Sequence, residues 1–225
     1  MSKIKYIVGS FFAAAAAISN IQAMDFFEPQ PGKDFASIIK NIWDLKTQSN
    51  DLSSAIDTLS TQLKEDHSLA NLRIGFLNYS VLYSVINLMG TNPFWGNEEL
   101  TKKLKDLATL MLDCGADPNA DFQMPPNEKM FEDYVKDHSV LFMAVDHPDL
   151  VKLMIEKYKG DFTKKDTDGW NLFAYALNHG QKEVAEYVAK INPEDTKAML
   201  AIFLLQEKPN VDTDLMMFLK QELDM

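Results

Sequence analysis

The stretch from Leu107 to Ala120, Leu-Ala-Thr-Leu-Met-Leu-Asp-Cys-Gly-Ala-Asp-Pro-Asn-Ala, limits the folds open to this chain more than any other. Leu107, Ala108, Leu110, Met111 and Leu112 form an apolar run wide enough to face two neighbours at once, as a helix inside a stack must. Gly115 stands where a chain leaving a helix takes positive φ, and Asp117 and Asn119 are residues that bond nearby backbone amides. The segment therefore reads as the end of a helix, a left-handed stop and a sharp reversal.

The same signals recur. Ser80-Val81-Leu82-Tyr83-Ser84-Val85-Ile86 and Ser139-Val140-Leu141-Phe142-Met143-Ala144-Val145 are two versions of one helix start. A third lies in Asp168-Gly169-Trp170-Asn171-Leu172-Phe173-Ala174-Tyr175-Ala176-Leu177, followed by Asn178-His179-Gly180-Gln181-Lys182-Glu183-Val184-Ala185-Glu186-Tyr187-Val188. Leu110 to Ala120 resembles the outer-helix ending Leu-Leu-Leu-x-x-Gly-Ala-Asp-x-Asn-Ala of the ankyrin repeat, departing from it at Met111. The helix starts resemble that family's Thr-Pro-Leu-His-x-Ala-Ala, and Ser139 and Asn171 stand 32 places apart, close to a period of about 33. Ser80 and Ser139 are 59 apart, which requires insertions.

The resemblance covers about Asn78 to Asn192. It implies an all-α solenoid of stacked helix pairs, right-handed, with short hairpin turns along one edge and helical caps. Residues 70–192 then hold about three repeats. The first has its inner helix near Asn78 to Met89 and its outer helix near Glu98 to Asp113; insertions fall at 90–97 and 121–137. In the second repeat, His147-Pro148 stands where the third has His179-Gly180-Gln181-Lys182, so its helix turn is tighter by two residues.

Solenoid ends need atypical units with one polar side. Residues 34–69 suit an N-terminal cap of two helices, one after Asp34 with Phe35, Ile38, Ile39, Ile42 and Trp43 on a stripe, the other capped by Asp51 and carrying Leu52, Ala55, Ile56, Leu59 and Leu63. Residues 193–225 suit a C-terminal cap with helices over Thr196 to Glu207 and Asp212 to Leu223. Residues 24–33 read as an extended lead-in. Before them, Lys3 and Lys5 precede an apolar stretch from Ile7 to Ile18 that ends at Ala23, the pattern of a secretory signal peptide cut after Ala23. The chain is thus expected to be secreted or periplasmic, with no stable membrane insertion after cleavage.

With a formal net charge of −11, made two units more negative by loss of Lys3 and Lys5, the chain lacks the excess of Lys and Arg that nucleic acid requires. No paired Cys, phosphate loop, zinc helix or nucleophile elbow is present, and no cofactor is implied. The lone Cys114 permits no internal disulfide and fills a freely variable place of the turn motif. His147 and His179 align one repeat apart, yet two ligands fall short of the three of a catalytic zinc site. Asp117, Asn119, Asp121 and Glu128 hold places 1, 3, 5 and 12 of a calcium loop, but Phe122 occupies the place that needs Gly.

What the resemblance implies is binding rather than catalysis: an exported, monomeric protein-interaction module whose partner is another protein. Alternatives are an enzyme or metal-binding protein with its site in the inserted loops, and a structural component of the envelope. The repeat pattern leaves the residue after Asp-Gly and the last turn of the inner helix exposed on the concave side. Here these are Trp170, Asn178 and His179 in the third repeat and Asp146 and His147 in the second. Trp170 either anchors a partner or folds onto Tyr175 or the hairpin as packing. Phe94 and Trp95, in the 90–97 insertion, either plug the space under their loop or reach a partner.

Overall fold

The computed structural model describes residues 49–74, 79–90, 97–120, 139–166 and 169–205, with 217 and 221. The first 48 residues, and with them the signal-peptide, lead-in and Asp34 helix expectations, lie outside the described residues. So do Phe94 and Trp95 and the 121–137 insertion.

The described chain is helical. α1 spans Ser49–Glu65, and a short 3-10 helix covers His67–Asn71. The other helices are α2 (Val81–Met89), α3 (Glu98–Asp113), α4 (Val140–Met143), α5 (Pro148–Tyr158), α6 (Leu172–His179), α7 (Lys182–Ile191) and α8 (Pro193–Leu205). The strands, β1 (Arg73–Ile74) and β2 (Tyr79–Ser80), form one antiparallel pair with Arg73 opposite Ser80. An all-α class is the result.

The helices stack in two rows: α2 packs on α4 and α4 on α6, while α1 packs on α3, α3 on α5 and α5 on α7. α2 also pairs with α3 and α6 with α7, and α8 covers both members of the last pair. Between the rows lies the core, where Leu52, Ile56, Leu59, Leu63, Leu82, Ile86, Phe142 and Phe173 are fully buried. Each such side chain stabilises the fold by about 1.5–3 kcal/mol relative to exposure.

One backbone hydrogen bond marks each unit. The first residue of each inner-row helix donates its N–H to a carbonyl across the preceding turn: Val81 to Leu72 (3.0 Å), Val140 to Ala120 (3.2 Å) and Leu172 to Phe162 (3.4 Å). The starts of α2, α4 and α6 are therefore built alike. Side-chain caps reinforce two of these starts, with Ser80 Oγ accepting from Tyr83 N and Asn171 Oδ1 from Ala174 N.

The helix-ending turns are tied in series. Gly115 has φ of 93°, the left-handed stop expected from its place after α3. Asn119 N donates to Asp117 Oδ1 at 2.8 Å, closing the reversal. Asn119 then reaches the next turn, its Oδ1 accepting from Asp161 N (2.6 Å) and its Nδ2 donating to Lys159 O (3.2 Å). Asn71 Nδ2 makes a similar step to Gly115 O at 3.1 Å. In the second unit, the residue with positive φ is Lys159 (59°), and Gly160 follows it.

Several boundaries differ from expectation. Asp51 lies inside α1, which includes Ser49 and Asn50, and is not its cap. α2 begins at Val81, because the antiparallel pairing holds Tyr79 and Ser80 extended. α4 is only Val140–Met143, where α2 runs Val81–Met89. Val145 N bonds Phe142 O and His147 N bonds Ala144 O, so the tight turn before Pro148 consumes the rest of that helix. α8 starts at Pro193, earlier than Thr196, since Pro suits the first helical position, whose N–H has no partner in any helix.

Candidate protein-binding face

The end of α6 and the turn after α4 carry the expected polar residues. Asp146, Asn178 and His179 are exposed, and His147 is half-buried. Asp146 and His147 follow α4, and Asn178 and His179 end α6. Gln181, just past α6, donates from Nε2 to Asp146 Oδ1, which links the second unit to the third. Gly180, with φ of 70°, ends α6 and lets the chain turn back so that Gln181 can reach.

Tyr175 forms the floor of this group. Its ring stacks on the His179 imidazole with centroids 4.2 Å apart, and meets Phe142 edge to face at 5.3 Å. Burial pushes the Tyr175 phenol well above its ordinary range, and the Asp146 carboxylate pushes in the same direction. Burial also lowers His179 and His147 below the usual imidazole range, against the opposing pull of Asp146 on both; Lys105 further lowers His147. The geometry thus presents one fixed carboxylate beside two imidazoles that favour the neutral form.

Toward the first unit the face becomes more aromatic. Tyr79 and Tyr83 stack at 4.8 Å with planes 10° apart. Burial pushes the Tyr79 phenol up to about 12. It raises Tyr83 as well, with smaller contributions from Tyr79 and Tyr175 that place these three phenols in one electrostatic neighbourhood.

Trp170 requires a correction. It is 6% exposed and does not stand on the free surface. Its N–H donates to Asp166 Oδ1 at 2.8 Å, and its carbonyl accepts from Asp166 N at 2.9 Å, so a closed turn fixes its backbone. The residue after Asp-Gly counts as open in the repeat pattern; here it carries a large apolar ring whose removal from water outweighs display. Trp170 also precedes α6 while His179 ends it, so the whole helix, roughly 12 Å of rise, lies between them.

Sequence reasoning gave Tyr83 no part in this face and named Tyr175 only as a ring onto which Trp170 could fold. A signal was available for Tyr175, which stands with Ser84 and Met143 at the variable place of the inner-helix motif. Cys114 is half-buried with Sγ 3.8 Å from Leu63 O, and burial raises its thiol above the usual range, so it has the environment of a packing residue. Asn119, considered above as a calcium ligand, spends its side chain on the next turn. Among the described residues, no group of three His, Cys, Asp or Glu side chains is placed to hold a metal, and no helix is long and apolar enough to cross a membrane.

Comparison of the chain with protein-family models, curated proteins and solved structures finds no match to any of them.

Proposed function

We propose that the chain is an exported, ankyrin-type stack of helix pairs that acts by binding another protein. The bound surface is the inner-helix face, read as the concave side of a solenoid. The carrying observation is that the turn after α4 and the end of α6 carry Asp146, His147, Asn178 and His179, with Asp146 bonded to Gln181 and the His179 ring stacked on Tyr175. None of these four polar side chains belongs to the buried core, so core packing does not account for them and recognition can use them. The repeated hairpin bond and the Asn119 and Asn71 bridges support the repeat reading, and the leader pattern of residues 1–23 supports export.

Affinity capture from the compartment into which the chain is exported tests this, comparing the native sequence with an Asn178→Ala/His179→Ala double variant. A protein recovered by the first and lost from the second, at unchanged melting temperature, is the expected result. Equal recovery by both chains would reject the inner-helix face as the binding surface.

A further inference from the structure

The inner-row helices are not equally secured, and α4 is held least well. α2 and α6 start on side-chain caps from Ser80 and Asn171, whereas Ser139, at the start of α4, makes no such bond. Its Oγ is buried with no hydrogen-bond partner among the described residues, which costs the closed turn stability. After four residues α4 gives way to turns closed by Val145 N to Phe142 O (3.1 Å) and His147 N to Ala144 O (2.7 Å).

His147 ends this stretch in surroundings that oppose a charge on it. It is half-buried and takes the cap position of α5, where its carbonyl accepts from the Leu150 and Val151 amides and its side chain makes no cap bond. A helix start carries partial positive charge, so the backbone resists a proton on this imidazole. Burial resists it as well, Lys105 of α3 adds to that resistance, and Asp146 pulls the other way. Asp149, in the first turn of α5, is exposed, and Glu183 of α7 is engaged by Lys152. His179 is placed differently: it is exposed in the last turn of α6, where a helix end favours a cation. Of the two histidines, only His147 meets both a helix start and a lysine.

A group that resists its proton in the closed turn accepts one more readily in the open turn, so acid favours opening. Asp146 lies within this turn and is bonded to Gln181 of the third unit, so opening also loosens the join between the two units.

We infer that the turn from Ala144 to Pro148 is an acid-sensitive joint: a proton on His147 opens it and releases Asp146 from Gln181, so the inner-helix face is assembled near neutral pH and loosened in acid. The joint itself follows from the geometry of the turn; only its consequence for recognition rests on the protein-binding reading.

Hydrogen exchange in the full chain, with no partner present, tests the joint. Measurements at about pH 7.5 and about pH 5 fall on either side of the ordinary histidine value. With the intrinsic pH dependence of exchange divided out, protection of the Val145, His147, Leu150 and Val151 amides should fall by about threefold or more beyond any change in the amides of α3 and α7. His147→Gln should abolish that extra fall, and His147→Lys should show the low protection already at about pH 7.5. His179→Gln should leave it as in the native chain. Melting curves establish that each variant is folded. Should His147→Lys fail to fold, the His147→Gln result and a magnetic-resonance titration of the His147 ring, which should follow the amides, decide the matter. The inference is overturned by protection that does not change with pH, by a fall shared equally with α3 and α7, or by a local fall that survives His147→Gln. Each of these outcomes would leave the protein-binding reading standing, since no partner enters the measurement.

Discussion

The His179 imidazole lies on the Tyr175 ring with centroids 4.2 Å apart and planes inclined by 27°. The contact removes water from one face of a group whose ordinary pKa is 6.5, and burial lowers it. His147 is lowered in the same direction. A histidine with a folded-state pKa below its unfolded one binds its proton more readily when unfolded. Stability from this source is therefore complete above pH 6.5 and is lost as pH falls through the lower folded-state values. The melting temperature should be flat from pH 7 to 8 and decline below 6.5. His179→Phe, which retains a ring on Tyr175 and removes the proton site, should flatten part of that decline in a pH series of thermal melts. An identical slope in the variant would remove His179 from the account.

Trp170 is structural in this fold. Trp170→Ala should lower stability by about 3–5 kcal/mol through loss of buried ring contacts, and Trp170→Phe by less. Partner capture by the folded fraction should persist in both. A fully stable Trp170→Ala that no longer binds would restore the hot-spot role.

Gly115 and Lys159 fill equivalent stops with φ of 93° and 59°. A side chain in the left-handed region costs roughly 1–2 kcal/mol, so Gly115→Ala should destabilise by about that much. Lys159→Gly relieves a similar strain, offset by the greater freedom glycine gives the unfolded chain. The expected outcome is a change between zero and about 1 kcal/mol in the stabilising direction. Gly160→Ala should destabilise, since a Cβ there would come 3.2 Å from Met154 O. Chemical denaturation of the three variants ranks them.

Asn119 makes two bonds to the following turn and Asn71 one to its own. At about 0.5–1.5 kcal/mol per bond, Asn119→Ala should cost more than Asn71→Ala. Hydrogen exchange at the Asp161 amide should quicken in the first variant and remain slow in the second. Equal effects would mean that the turns are not coupled through these side chains.

The export proposal predicts that the protein recovered outside the cytoplasm begins at Met24. Intact mass decides the point, and an exported species that keeps residues 1–23 would overturn it.

Much of the scaffold was legible locally because its signals are local. An apolar stripe such as Leu52, Ile56, Leu59 and Leu63 has to face one direction on a helix, and a glycine after α3 has to serve where φ is positive. The bounds of α3, Glu98–Asp113, follow from Asn97 capping its start through the Leu100 amide and from the Gly115 stop. The exposure of Asp146, Asn178 and His179 was legible too, since polar residues stand at places that the family resemblance does not use for packing.

What the chain determined by itself was therefore which residues turn, which pack and which remain polar, since those choices depend on neighbours within a few positions. Tertiary structure decided everything that depends on residues far apart. It buried Trp170, set His179 on Tyr175, joined Gln181 to Asp146 and carried Asn119 across to Asp161. It also shortened α4, where the turn before Pro148 and the start of the next helix compete for the same residues. The physical reason is the same in each case: local backbone preferences are worth tenths of a kcal/mol to about 1 kcal/mol per residue, whereas burying a large ring or satisfying a backbone group across two turns exceeds them.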